Sequence, residues 1–237
     1  MDKGYETLLN KYRRMFSMVD VFHFNSQNTA DVYMKYIDVP QSSKVVSITH
    51  GSIKDCRKPR TNVDSVLKLG FIGSEAPYKG LPMLKRVIDR LNAAGFCKKL
   101  HLSVYGGRIG VDEALNNVEY KGRFSTAQMA SIYDSMDLLI VPSICCETFG
   151  FTTIEALQFG VPALVSNKVG AKDIVNKYAP QFIFNNEDEL YDILSRLISD
   201  KTELVAYNKA VVSAEWEWNL ESHSKEIIRK IYKDEEN

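Results

Sequence analysis

Hydrophobic positions along this chain follow two rhythms that alternate from end to end. Apolar runs of strand length stand at residues 19–24, 44–48, 66–72, 100–105, 138–141 and 163–165. They are nearly continuous rather than alternating, the pattern of strands buried on both faces. Between them, apolar residues recur at three- and four-residue spacing. Leu81, Leu84, Val87, Ile88 and Leu91 mark one helix, and Gly95 just beyond is suited to end it. Ser26 is placed to cap a helix running to about residue 37, and Ser125 with Gln128 has the capping-box spacing ahead of another. Residues 152–159 and 171–176 predict shorter helices, and 188–198 and 221–232 predict amphipathic ones. Tyr5, Tyr12 and Phe16 lie at helical spacing and read as a packing face. Strands alternating with helices in this way predict an α/β fold, a doubly wound parallel sheet with helices on both faces. The polar stretch 54–64, which contains Pro59, is the natural boundary, and no internal repeat is present.

Length and composition sharpen this picture. With 237 residues, 45% of them hydrophobic, the chain can build one large core without disulfide or metal staples. Its 30 basic and 30 acidic residues balance, which argues against a dedicated nucleic-acid binder. The balance is global but not local. Residues 1–60 carry 10 basic and 6 acidic groups, whereas residues 185–237 carry 7 and 13, so the two ends have opposite sign. Either the acidic end lies against the basic one, as a crossing final helix would allow, or both are simply solvated faces; the sequence reads equally well both ways. No window has the ~18–20 apolar residues of a membrane span. Cys56, Cys97, Cys145 and Cys146 show no zinc-ligand spacing. A reducing, cytoplasmic setting is expected, with peripheral association at the inner membrane surface.

Candidate chemistry follows from the predicted topology. Open parallel sheets bind ligands beyond the carboxyl ends of their strands. Those exits read Gly73 to Gly80, then Gly106-Gly107-Arg108, then Gly122-Arg123-Phe124, then Pro142-Ser143 through Thr153. Four glycine-rich exits in succession point to one ligand cleft. In the last of them Glu147 and Glu155 stand eight positions apart, with Gly150 between them at the start of a helix. Free N–H groups and the positive dipole end there suit a phosphate. Glu147 and Glu155 can accept hydrogen bonds from sugar hydroxyls, and Lys79 can supply a point charge to a diphosphate. On spacing alone the two glutamates read equally well as solvated residues; Phe149, Gly150 and the ordered neighbours favour the site. A nicotinamide-dependent dehydrogenase is disfavoured, because the exit after residues 66–72 is not GxGxxG.

The ordered set of Gly73 to Gly80, Pro142-Ser143, Glu147-x7-Glu155, Gly160-Val161-Pro162 and Val169-Gly170 resembles the donor half of a family 4 glycosyltransferase, the retaining group with the GT-B fold. The resemblance runs from about residue 20 to residue 232. It implies two Rossmann-like domains facing across a cleft, with the C-terminal one binding a nucleotide-diphosphate sugar. Glu147 then lies beside the donor sugar and Glu155 holds the ribose hydroxyls. The backbone N–H groups of Phe149, Gly150 and Phe151 approach the sugar and diphosphate. Lys79 neutralises the diphosphate, and the loop at Arg123 and Phe124 meets the base. Lys79 and Glu147 are the catalytic candidates. Gly73 and Ser74 belong to the donor loop, where Ser74 replaces the arginine usual in the family; Arg108 from the next exit could compensate. His50-Gly51 stands where the family often has Asn-Gly.

Two full domains of this kind need roughly 300–400 residues. The expected division is a remnant of the acceptor-side domain at 1–57, the nucleotide-sugar-binding domain at 58–214 and a crossing helix at 215–237. The chain is thus expected to be a donor-binding half, which transfers sugar with retention in polysaccharide or glycoconjugate synthesis. Its partners would be a nucleotide sugar, a glycan or lipid-linked acceptor, and a missing N-terminal domain, a partner chain or a second copy. No metal or other cofactor is expected. The alternative is a non-catalytic subunit of a split glycosyltransferase. Exposed apolar surface is expected near residues 19–24 and 45–48.

Overall fold

The structure, a computed structural model, describes residues 3–61 and 65–232. Its centre is a seven-stranded sheet built from β3 (Leu67–Ile72), β4 (Leu100–Tyr105), β5 (Ile109–Val111), β6 (Val118–Gly122), β7 (Leu138–Val141), β8 (Ala163–Ser166) and β9 (Ile183–Phe184). The strand order is β5-β6-β4-β3-β7-β8-β9. All neighbouring pairs are parallel except β5 with β6, where a short antiparallel strand closes one edge. The chain winds outward from β3 through β4 to β6, then returns to β7 on the other side of β3. That reversal creates a topological switch point between β3 and β7, the place where such sheets bind ligands.

The apolar runs explain the strands. Every residue of β7 (Leu-Leu-Ile-Val) and of β8 (Ala-Leu-Val-Ser) is buried, as strands covered on both faces require. Helix α3 (Leu81–Leu91) buries Leu81, Leu84, Val87, Ile88 and Leu91, the stripe its spacing predicts. Helices α4 (Met129–Asp134), α5 (Phe151–Leu157), α6 (Lys172–Tyr178) and α7 (Glu187–Ser199) follow the later strands. Asn186 caps α7 by accepting from the Glu189 N–H. The capping box expected at Ser125 and Gln128 is present, ahead of a short 3-10 turn that leads into α4. Helix α8 (Thr202–Ser213) buries Leu204, Tyr207, Asn208 and Val211.

A second, two-stranded parallel sheet precedes this core: β1 (His23–Phe24) pairs with β2 (Lys44–Val45) across α2 (Gln27–Tyr33). Both strands are shorter than the apolar runs around them. Ser26 caps α2 as expected, and the helix stops at Tyr33 rather than near residue 37. Helix α1 (Lys3–Phe16) differs from expectation too. Tyr5 and Tyr12 are largely exposed, Tyr12 stacking only on Phe16, and the helix meets the body near its end, where Phe16 lies edge-on to Phe22 and Tyr33 and Arg13 Nε donates to the Tyr36 carbonyl at 2.9 Å. In this N-terminal part the exposed apolar surface lies on α1 and just after α1 and α2 (Leu8, Tyr12, Met15, Met18, Met34, Tyr36), not on β1 or β2. Phe24 and Val46 are buried, because α2 covers one and the chain's end crosses the other region.

That crossing is made by α9 (Leu220–Ile227) and the π-helical turn after it. Thr49 Oγ1 donates to the Trp218 carbonyl at 2.5 Å, a His223 ring nitrogen lies 3.0 Å from the Ser47 carbonyl, and Lys230 Nζ reaches the Val45 carbonyl at 3.4 Å. These are bonds to backbone. The acidic groups of α9 and the turn after it pair within their own helical stretch, Glu221 with Lys225 and Glu226 with Lys230. Charge difference between the ends therefore contributes little to this contact. Trp216 and Trp218 pack against the core as half-buried anchors, Trp216 under the Arg57 guanidinium at 5.1 Å. The polar stretch before β3 is docked rather than loose: the Lys54 and Cys56 amides donate to Gln158, and Arg60 reaches the Met136 and Tyr133 carbonyls.

Candidate active site at the switch point

Lys79 and Glu147 meet across the switch point, one from the exit of β3 and the other from the exit of β7. Lys79 Nζ donates to Glu147 Oε1 at 2.8 Å, and the Ser143 hydroxyl donates to the same oxygen. Their side chains retain 33% and 14% exposure, so the pair is shielded but reachable. Two backbone features bring them together. Gly80 takes φ +81°, and a Cβ there would collide with the Pro142 carbonyl, so only glycine lets the two exits approach this closely. Gly150 takes φ +102° and ψ +73° directly before α5, turning the chain between Glu147 and the helix. A Cβ on Gly150 would lie 2.8 Å from Val169 Cγ1.

A cavity of about 180 Å³ lies between these loops, lined among others by Gly73, Lys79, Ser143, Glu147, Gly150 and Phe151. Lys79 is the one basic residue among those lining it. At its edge the first turn of α5 leaves backbone N–H groups free of helical partners. Thr153 Oγ1 is fully buried there and has no hydrogen-bond partner among the described residues. A cation, free amides and a carboxylate around one small cavity can hold a diphosphate and a sugar hydroxyl together.

Other predicted residues stand apart from this cavity. Glu155 lies in the next turn of α5, where Tyr133 Oη donates to its Oε2 at 3.1 Å and His50 Nε2 lies 3.7 Å from its Oε1. Phe149 has its ring in the core, and its carbonyl accepts from the Ala171 amide. Arg123 is exposed, and Phe124 packs edge-on against Tyr105 with ring centroids 6.0 Å apart. Ser74 is exposed at the β3 exit. Arg108 does not face Lys79. It lies over Tyr120 at 4.0 Å and pairs with Glu75 and Asp112, so it belongs to a different cluster.

That cluster lies at a larger cavity, about 510 Å³ between α3 and β6. Several of the charged groups here are tied together: Lys85 to the buried Asp112 at 2.5 Å, Arg108 to Glu75 and Asp112, and Asp112 also to Tyr120 Oη at 3.0 Å. Burial pushes the Asp112 carboxyl up, but bonds from Lys85, the Ala114 amide and Tyr120 outweigh it and hold it below the usual 3.8. Size alone would favour this cavity, but the smaller one gathers the loops of the switch point, where parallel sheets bind ligands.

Ser143, Tyr133 and His50 are site neighbours that sequence reasoning did not single out for these roles. Ser143 lies in the Pro142-Ser143 exit of β7, and His50 immediately precedes Gly51. Tyr133 carried no signal, since its partner is 22 positions away on another helix.

Residues 67–200 match the family model described as "Glycosyl transferases group 1". The chain belongs to the group 1 glycosyltransferases. Among curated relatives of this glycosyltransferase domain, Protein CapJ of Staphylococcus aureus is 30% identical over 186 residues, 72% of this chain and 46% of its own. A GDP-mannose-dependent alpha-mannosyltransferase of Mycolicibacterium smegmatis is 30% identical over 110 residues, 45% of this chain and 27% of its own. The chain thus spans less than half the length of these relatives. In fold it resembles Anabaena HepE in complex with UDP and glucose, with TM-score 0.71 and 16% identity over 95% of this chain and 67% of that one. WaaG, a glycosyltransferase involved in lipopolysaccharide biosynthesis, gives TM-score 0.63 and 16% identity over 87% and 61% of the two chains. The fold is that of the GT-B glycosyltransferases. Among the described residues no helix is long and apolar enough to cross a membrane.

Proposed function

We propose that this chain is the donor-binding part of a retaining, family 4 glycosyltransferase that takes its sugar from a nucleoside diphosphate. The observation that carries the reading is the Lys79–Glu147 pair at the switch point, beside Gly150 and the start of α5. In transfer, the bond from the sugar's anomeric carbon to the diphosphate oxygen breaks and its electron pair goes to the diphosphate, while an acceptor hydroxyl oxygen bonds to the same carbon and its proton passes to the departing diphosphate. Lys79 and the amides of Gly150 and Phe151 meet that growing charge with fixed dipoles and a cation. Glu147 accepts from a hydroxyl of the sugar, and Glu155 from the ribose. Arg123 and Phe124 flank the base. Charge neutralisation is assigned to Lys79 and the amides rather than to a divalent ion.

The names of the relatives support the donor class. One is GDP-mannose-dependent, and the fold neighbour HepE holds UDP and glucose. The acceptor would be a glycan or lipid-linked sugar in polysaccharide or glycolipid synthesis, received with a second domain or partner chain at the cytoplasmic side. Calorimetric titration with UDP, GDP and their sugars tests this. Binding that is lost in Lys79→Met and Glu155→Ala supports it; equal affinity in both variants refutes it. One observation favours the second reading, a non-catalytic subunit: Ser74 is exposed and supplies no second cation, and Arg108 is turned away. Failure to bind any donor would favour that reading.

A further inference from the structure

Glu155 is held by groups that lie far from it in sequence. Tyr133, from α4, donates to Oε2 at 3.1 Å. His50, from the N-terminal segment, places Nε2 at 3.7 Å from Oε1 and its ring edge-on to Phe151, centroids 5.0 Å apart. The tautomer of His50 follows from its other nitrogen. Nδ1 accepts from the Ser52 amide at 3.3 Å, so the ring proton sits on Nε2, toward Glu155.

Tyr133 is the more rigid of the two. Its ring is fully buried and stacks on Phe159 just beyond α5, with centroids 5.3 Å apart and planes 18° apart. The ring therefore cannot follow the carboxylate; the carboxylate is held to the ring. Burial, and then the Glu155 carboxylate, push the phenol well above its usual range, which keeps it protonated as a donor. A glutamate side chain free to rotate would lose conformational entropy on binding a ligand. With Oε2 tied, that cost is met on folding, and Glu155 keeps one orientation.

We propose that Tyr133 is a positioning residue, whose hydroxyl orients Glu155 to accept from the ribose hydroxyls of the donor nucleotide. This rests on the donor-site reading of Glu155, and the test separates the two. The intact chain is titrated calorimetrically with UDP and GDP, and with the 2′,3′-dideoxy form of whichever binds. Glu155→Ala should weaken the ribonucleotide and leave the dideoxy form unchanged. Tyr133→Phe keeps the stacked ring and removes only the donor. It should weaken the ribonucleotide roughly 3- to 10-fold, as a hydrogen bond of ordinary worth would, and again spare the dideoxy form. In the Glu155→Ala background Tyr133→Phe should add nothing.

Equal losses for ribo and dideoxy forms in Tyr133→Phe would show a merely structural role and overturn the inference. So would an unchanged ribonucleotide affinity. If Glu155→Ala itself fails to distinguish the two nucleotides, or neither nucleotide binds, the donor reading falls and takes this inference with it.

Discussion

Lys79 and Glu147 hold one another, so on the proposed donor reading a diphosphate takes Lys79 from a carboxylate. Two substitutions at this one contact should therefore move affinity in opposite directions. Glu147→Gln keeps the side chain's shape and an oxygen for Ser143, but removes the charge that competes for Lys79. At 2.8 Å the gross attraction is ~1.5 kcal/mol in water-like surroundings and ~6 kcal/mol at an effective dielectric of 20. Desolvation offsets most of that, and exposed pairs measure ~0.2–1 kcal/mol net. At 33% and 14% exposure this pair belongs near the upper end, so a competition of about 1 kcal/mol is reasonable. Glu147→Gln should then bind UDP or GDP about 5-fold tighter, while sugar transfer in the complete enzyme falls. Lys79→Met removes the cation itself. Hydrogen bonds to charged groups contribute ~1.5–3 kcal/mol, so affinity should fall roughly 10- to 150-fold. Both variants lose the same ion pair, so a change in stability cannot produce opposite signs. Calorimetry with the nucleoside diphosphates at low and high salt is the assay, and the gain in Glu147→Gln should shrink as salt screens the pair. Weaker binding in both variants would refute the competition.

Gly80→Ala should destabilise the fold by about 2–4 kcal/mol in urea denaturation, because φ +81° and the Pro142 carbonyl both oppose a Cβ; a loss under ~1 kcal/mol would mean the loops part easily. Asn208→Ala should cost about 2–3 kcal/mol, since the buried amide bonds the Lys58 and Gly160 carbonyls and accepts from the Arg60 amide; a variant as stable as the parent would show these groups find other partners. Asp112→Asn tests a pH dependence. The Asp112 pKa is lowered on folding, so its charge contributes stability above the unfolded value of 3.8 that is lost as pH falls through the lower folded value. The variant should be less stable than the parent at neutral pH, and the gap should narrow below pH 3.8; a gap independent of pH would assign it to packing instead.

The readable parts of this fold are those in which neighbours in sequence are neighbours in space. Strands β7 and β8 announce themselves because both faces are covered, and α3 because its five buried residues form one stripe. Helix α8 escaped notice for a physical reason. Its outward face carries Val205, Ala206, Ala210 and Val212, and its inward face carries Asn208, so the contrast between faces is weak. Strand β5 escaped because its side chains are exposed, Ile109 at 83%, and only its backbone is paired, so no burial pattern marks it. The packing expected of Tyr5 and Tyr12 failed in the opposite sense. Helical spacing gives a face, not an occupant, and on α1 that face is turned to solvent.

The site shows the same division more sharply. The motif residues could be named singly, but their pairing depends on the order of strands. Lys79 reaches Glu147 only because β7 returns beside β3 after the chain has run out through β4, β5 and β6. The N-terminal segment, which its polar linker would set aside as a separate piece, belongs to this arrangement as well. Ser26 Oγ and Thr29 Oγ1 both donate to the Thr148 carbonyl, at 2.7 and 3.0 Å, one residue after Glu147. From below, Gly170 lies so close that a Cβ on it would strike both Thr148 and Ser26. The loop bearing Glu147 is thus clamped between α2 and the turn before α6, and Glu155 is approached by His50 from the same segment. Residues 23–53 therefore act on the site through its geometry. The Ser26 hydroxyl that caps α2, with that of Thr29 in its first turn, thus also holds the loop on which the first glutamate meets Lys79.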